Sequence, residues 1–150
     1  MFGTRWVETT DAMMGGRSTA RLEVVEGGAA GTARALRITG EIASGSPFAW
    51  AGALFFPASP PMTPADLSAA EGLAFHARGD GGTYRVLLFT RRGGQVPASA
   101  SFTAGPEWQE HTFPWSAFGG ADGSDVTAIA IVGGPAPGRF ELLVDQVELR

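Results

Sequence analysis

The chain has 150 residues, a formal net charge of −4, no cysteine, and 11 basic residues that are all arginine. Such a balance leaves no basic patch to neutralise phosphates and argues against a nucleic-acid partner. The missing thiols exclude disulfides, thiolate metal centres and a cysteine nucleophile. No apolar run approaches the roughly 18 residues of a membrane span, and residues 1–5 lack the basic-then-apolar order of a signal peptide.

The hydrophobic fraction of 44% suits one globular domain over residues 1–150, long enough to bury roughly two-thirds of its unfolded surface. With 22 glycines and 10 prolines, turns recur too often for long helices, so many short strands are expected. Candidate strands begin within a few residues of Met1 and run to Arg150. The chain therefore reads as a minimal single-domain protein or as a domain excised from a longer one. A cytoplasmic location is expected only for a full-length chain.

In chain order, residues 5–8 form a short strand leading into the glycine loop Asp11-Ala-Met-Met-Gly-Gly-Arg-Ser18. Residues 18–26 alternate apolar and polar and stop at Gly27 and Gly28. Residues 33–42 alternate again, with Leu36 and Ile38 on one face and Arg37 and Thr39 on the other. The link between these two strands is turn-like and predicts a hairpin. Residues 48–56 make a further strand, closed by Pro57, Pro60, Pro61 and Pro64.

Residues 64–71 are the helical candidate, with Thr63 as N-cap, Pro64 in the first helical position and Gly72 as the stop. Residues 72–78 and 83–90 flank Gly79-Asp-Gly-Gly82 and predict a second hairpin. Strands follow at 98–103, 107–113, 126–132 and 139–149, with Trp115 and Phe118 in a loop. The run 126–132 is almost wholly apolar, as a central buried strand should be. Eight to ten short strands and one helical turn define an all-β, antiparallel β-sandwich, most simply a jelly roll.

The loop at Asp11 does not cradle phosphate, because it opens no helix and lacks the Gly-x-x-x-x-Gly-Lys spacing. It reads as a tight corner in which Gly15 and Gly16 adopt angles closed to other residues. Met13 and Met14 would then plug the end of the sandwich, and Arg17 would clamp an acid such as Asp145 or Asp80.

Few residues offer catalysis. His76 and His111 are the sole neutral-pH bases, and no serine lies in a Gly-x-Ser-x-Gly elbow. Two histidines without His-x-x-x-His spacing make no catalytic zinc centre. Glu107 and Glu110 are read as solvated strand edges and not as a glycosidase pair.

Trp6 with Asp11-x-Met13-Met14-Gly-Gly-Arg17-Ser18, Asp66-Leu67 before Glu71-Gly72-Leu73, Arg78-Gly-Asp-Gly-Gly-Thr-Tyr84, Trp108 before Phe113-Pro114, and Phe140-x-Leu-x-Val-Asp145 follow one another over almost the whole chain. This pattern resembles the complex I intermediate-associated protein 30 family. The resemblance implies a galactose-binding-like jelly roll, similar in outline to family-11 carbohydrate-binding modules. Eukaryotic members act as assembly chaperones of respiratory complex I. Bacterial members are mostly of unassigned function, and some are appended to larger enzymes; a bacterial chain is expected here, and with no mitochondrial transit segment visible the assembly role does not carry over from the resemblance alone.

Within this frame Asp145 stands out, an acid in an otherwise apolar final strand. A buried carboxylate must be paired, hydrogen-bonded or metal-bound. In sandwich modules of the resembling kind, an acid here helps to hold a structural calcium, with Glu8 or Asp11 as the partner in this chain. The competing expectation is a backbone-bonded aspartate, or an ion pair with Arg5 or Arg17. Trp50, Trp108, Trp115, Tyr84 and Phe89 could line a sheet face, with Trp6 and Trp108 expected as core. Trp50, His76, Arg78, Arg85 and Trp115 are the candidate ligand contacts, since sugar rings stack on aromatics and their hydroxyls pair with Arg and His. The expected function is a non-catalytic module that binds carbohydrate or a protein partner. The alternatives are an accessory domain of a larger hydrolase, or an enzyme in its own right.

Overall fold

The computed structural model describes residues 6–94 and 96–150, apart from the side chains of Met13 and Met14. Ten strands follow in order: β1 (Val7–Thr10), β2 (Thr19–Glu26), β3 (Arg34–Ile42), β4 (Ala51–Phe55), β5 (Gly72–Gly79), β6 (Thr83–Thr90), β7 (Ala98–Thr103), β8 (Gln109–Pro114), β9 (Val126–Gly133) and β10 (Gly138–Leu149). They build two five-stranded antiparallel sheets, ordered β1-β4-β9-β6-β7 and β2-β3-β10-β5-β8. The predicted jelly-roll sandwich is the observed fold.

Side chains alternate across a pleat, so each strand sends one set inward and one outward. The inner faces meet in a core of Ile38, Phe75, Tyr84, Val86, Phe113, Ile131, Leu142 and their neighbours. Phe75 anchors an aromatic stack at one end, 5.6 Å from Phe113 and 5.2 Å from Phe102 between ring centroids. β9 is buried along its full length. It lies at the centre of its sheet, between β4 and β6.

Two expectations fail. Residues 64–71 form no helix; among the described residues the only helical pieces are single 3₁₀ turns at Asp11–Met14, Ala29–Gly31 and Trp115–Ala117. Ala65 instead exchanges both backbone hydrogen bonds with Val126, at 2.8 and 3.0 Å, and the Leu67 N–H donates to the Gly123 carbonyl at 2.7 Å. A helix this short is marginal alone, and pairing with a buried strand outweighs its capping signal.

The second predicted hairpin is also absent. β5 pairs with β10 and β8, whereas β6 pairs with β9 and β7. The turn at Gly79–Gly82 therefore carries the chain from one sheet to the other. Asp80 holds this crossing: its carboxylate accepts from the Gly82 N–H at 2.9 Å, the Tyr84 hydroxyl at 2.7 Å and the Glu141 N–H at 3.2 Å. Burial pushes the Asp80 carboxyl up, but these donors outweigh it and leave the group below its ordinary value. The β2–β3 hairpin forms as expected. No helix among the described residues is long and apolar enough to cross a membrane.

Candidate functional site

The Asp11 corner is built around a carboxylate. Asp11 is buried, and it accepts from the Ser18 N–H at 3.0 Å, the Ser18 hydroxyl at 2.8 Å and the Trp50 N–H at 3.3 Å. The Asp11 N–H returns a bond to the Trp50 carbonyl at 3.1 Å, and the Ala43 N–H reaches the Ser18 hydroxyl at 3.0 Å. Gly15 closes the 3₁₀ turn at a φ of +82°, open to glycine at no steric cost. A Cβ on Gly16 would fall inside the Asp11 carboxylate. The corner thus fixes the backbone of Trp50 from below. The predicted plugs Met13 and Met14 lie outside the described side chains. Arg17 is exposed and clamps neither Asp80 nor Asp145: both acids are filled by other donors.

Asp145 is 4% exposed and accepts from the Ala29 N–H at 2.9 Å, the Gln146 N–H at 2.8 Å and the Thr32 hydroxyl. The loop between β2 and β3 folds over the second sheet to supply the Ala29 and Thr32 donors. Next to it, Gln146 takes a φ of +52° where the β10–β5 register shifts. Asp145 has the backbone hydrogen bonds named in the second expectation. It shares no partner with Asp11, and the described residues contain no group of three or more acids and histidines able to hold a metal ion. Arg5, one expected ion-pair partner, lies outside the described residues.

The five predicted ligand contacts divide three ways. Trp115 is 5% exposed in the core, its indole N–H donating to the Ala70 carbonyl at 2.8 Å. His76 and Arg78 lie on the outer face of the second sheet. There the Arg78 guanidinium stacks 5.4 Å above Trp108, so this tryptophan is an outer-face residue and not the expected core plug. His76 Nε2 stands 3.7 Å from Glu110, which Arg150 also holds at 2.6 and 3.1 Å. Trp6 packs against Phe55 at 5.5 Å, on the core side as expected.

Trp50 and Arg85 come together on the outer face of the first sheet. Val86 and Ile131 point into the core, so Arg85 and Leu87 on β6, and Ala130 and Val132 on β9, point out. Cross-strand register aligns Leu54, Ala130, Leu87 and Ser99 in one row, and Gly52, Val132, Arg85 and Ser101 in the next. Trp50, Leu54 and Phe89 pack over Leu87, Ala130 and Val132 as an apolar cluster separate from the core. Arg85 is the single charged side chain among the described strand residues of this face. It is partly buried, its Nε has no hydrogen-bond partner, and burial depresses its pKa with no acid near enough to oppose it.

The sequence singled out Trp50 and Arg85 but missed the floor between them. A signal was present: in Thr83–Thr90 both phases are apolar, Tyr84, Val86 and Leu88 on one side, Leu87 and Phe89 on the other. Leu87, Ala130 and Val132 are buried even on this outer face, and Trp50, Leu54 and Phe89 are the partly exposed apolar side chains packed on them.

Neither histidine is placed for catalysis. His111 packs 4.9 Å from Phe102 and 5.9 Å from Phe75, its Nε2 unpartnered. Burial, and then His76, hold it below the ordinary histidine value. No serine, threonine or carboxylate hydrogen-bonds either imidazole among the described residues. An open cleft of about 330 Å³ near Phe118 contains Arg92 and Asp125, but these pair with each other at 3.2 Å and only pin a turn.

The two antiparallel five-stranded sheets form a jelly-roll sandwich. Its solved likenesses agree. The family-11 carbohydrate-binding module of the cellulosomal cellulase Lic26A-Cel5E of Clostridium thermocellum superposes with a TM-score of 0.74 at 16% identity, over 99% of this chain and 89% of that one. The Clostridium thermocellum family-11 module in complex with a β-1,3-1,4-mixed-linked tetrasaccharide gives 0.72 at 16%, over 98% and 89%. An exo-β-agarase gives 0.65 at 10%, over 100% of this chain and 24% of that one. No curated protein matches in sequence. The chain belongs to the complex I intermediate-associated protein 30 family, whose model matches residues 3–130.

Proposed function

We propose that this domain is a non-catalytic carbohydrate-binding module, with its ligand face on the outer side of the β1-β4-β9-β6-β7 sheet. The observation that carries the reading is the pairing, across Val132, of the half-buried Trp50 with an Arg85 that has no protein partner. A sugar ring stacks its C–H face on the indole, and its oxygens accept from the guanidinium and from the hydroxyls of Ser99 and Ser101. The carbohydrate-binding modules that share the fold support the class of ligand. The partly exposed Trp50, Leu54 and Phe89 equally suit a protein surface, which is the second reading and the one nearer to the family's assembly role.

A glycan array followed by titration calorimetry tests the choice. A bound oligosaccharide whose affinity falls at least tenfold in Trp50→Ala, with Arg78→Ala unchanged, supports it. A flat response to every neutral and acidic glycan overturns it in favour of the protein partner.

A further inference from the structure

Resting on the carbohydrate reading, we infer that the ligand of this face is an anionic saccharide whose carboxylate or sulfate is held by Arg85. The face is unbalanced in its hydrogen-bonding chemistry. Its described strand residues offer the donor-only Arg85 guanidinium and the hydroxyls of Thr9, Thr83, Ser99, Ser101 and Thr103, which both donate and accept, yet no carboxylate or amide side chain. A neutral sugar finds side-chain acceptors for its O–H donors only in these hydroxyls, and it brings no charge to the donor-only guanidinium. An anionic sugar supplies what is missing, an acceptor-only group aimed at a fork of donors.

Arg85 is also the exception among the three partly buried arginines of the described residues, although the Arg78 Nε likewise lacks a hydrogen bond. Arg37 lies 2.7 Å from Glu141, Arg92 lies 3.0 Å from Asp122, Arg150 lies 2.6 Å from Glu110, and Arg78 stacks on Trp108. Arg85 alone rises from an apolar floor of Leu87 and Val132 with neither acid nor ring against it. A partly desolvated cation with no counter-charge is an energetic cost, recovered when an anion binds. The surrounding low-polarity surface strengthens that contact relative to one in open water.

The test compares tetragalacturonate, oligoalginate and a sulfated oligosaccharide with the methyl esters of the two uronates, by calorimetry on the intact domain. The esters keep shape and stacking surface but remove the charge. Preference for an acid over its ester by roughly tenfold to a hundredfold, lost in Arg85→Gln and partly kept in Arg85→Lys, is the expected result. Uronate-only binding assigns a carboxylate, and binding of the sulfated oligomer alone assigns a sulfate. The affinity should also weaken as sodium chloride rises from 50 to 500 mM. Equal binding of acid and ester, or a preference that survives Arg85→Gln, overturns the inference while leaving the carbohydrate reading intact. If no acid binds and a neutral oligosaccharide does so through Trp50, the inference again falls alone. If no saccharide binds, both fall.

Discussion

The two outer faces of this sandwich solve opposite problems with the same residue types. On the second sheet many charged groups have an answer: Arg37 bridges Glu23 and Glu141, Arg150 holds Glu110 and Glu148, Arg78 lies over Trp108, and a loop folds over Asp145. On the first sheet the same face carries an apolar cluster and a partly buried Arg85 with no ion pair or hydrogen bond among the described residues. A sheet that only needs to face water is satisfied by exposed ion pairs. On the proposed reading the first sheet keeps an unpaired donor for its ligand, and the corner at Asp11 holds its tryptophan in place with buried hydrogen bonds.

The largest expected effect comes from breaking that support. Gly16→Val drives a side chain into the Asp11 carboxylate and should cost about 3 kcal/mol or more, read as a large drop in the urea midpoint. A variant with an unchanged midpoint that had lost ligand binding would make the corner itself a site. Next, Ser101→Glu places an acid directly across the ladder from Arg85 and gives the first face the pairing typical of the second. Binding should fall at least tenfold while stability moves by less than about 1 kcal/mol; full binding in this variant would show that Arg85 is not needed free.

Histidines sharpen the contrast between inside and outside. His76 faces solvent beside Glu110, whereas His111 faces the phenylalanines. Because burial lowers the His111 value below the ordinary 6.5, the unfolded chain takes up the proton first. Stability should therefore decline as pH falls from about 6.5 towards the lower folded value. His111→Phe should flatten that part of the pH–stability curve, and an unaltered curve would assign the decline to other groups. The smallest effect belongs to the second face: Arg37→Ala, at an exposed ion pair, should cost about 0.5 kcal/mol or less by denaturant titration.

Much of the scaffold is legible from alternation alone. The strands at 83–90 and 98–103 have the expected bounds, and the apolar run in Val126–Gly133 announces a central strand. What local pattern does not reveal is which sheet a strand joins. Gly79-Asp-Gly-Gly82 has the composition of a tight hairpin turn, yet the Asp80 hydrogen bonds to Tyr84 and Glu141 make it a crossing between layers. The same blindness divides the predicted site. Arg78 and Arg85 are seven residues apart and chemically alike, but the crossing sends them to opposite sides of the molecule. For the same reason Leu87, Ala130 and Val132 pass for core residues until the second layer is known to lie on the far side.

The central claim, that the first sheet carries the ligand, is tested most directly by amide chemical-shift mapping during titration with the tightest glycan from the array. The account predicts shifts concentrated on β4, β6 and β9 around Trp50, Arg85 and Val132, with β5, β8 and β10 silent. Shifts centred on His76, Arg78 and Trp108 would contradict it and move the site to the charged face.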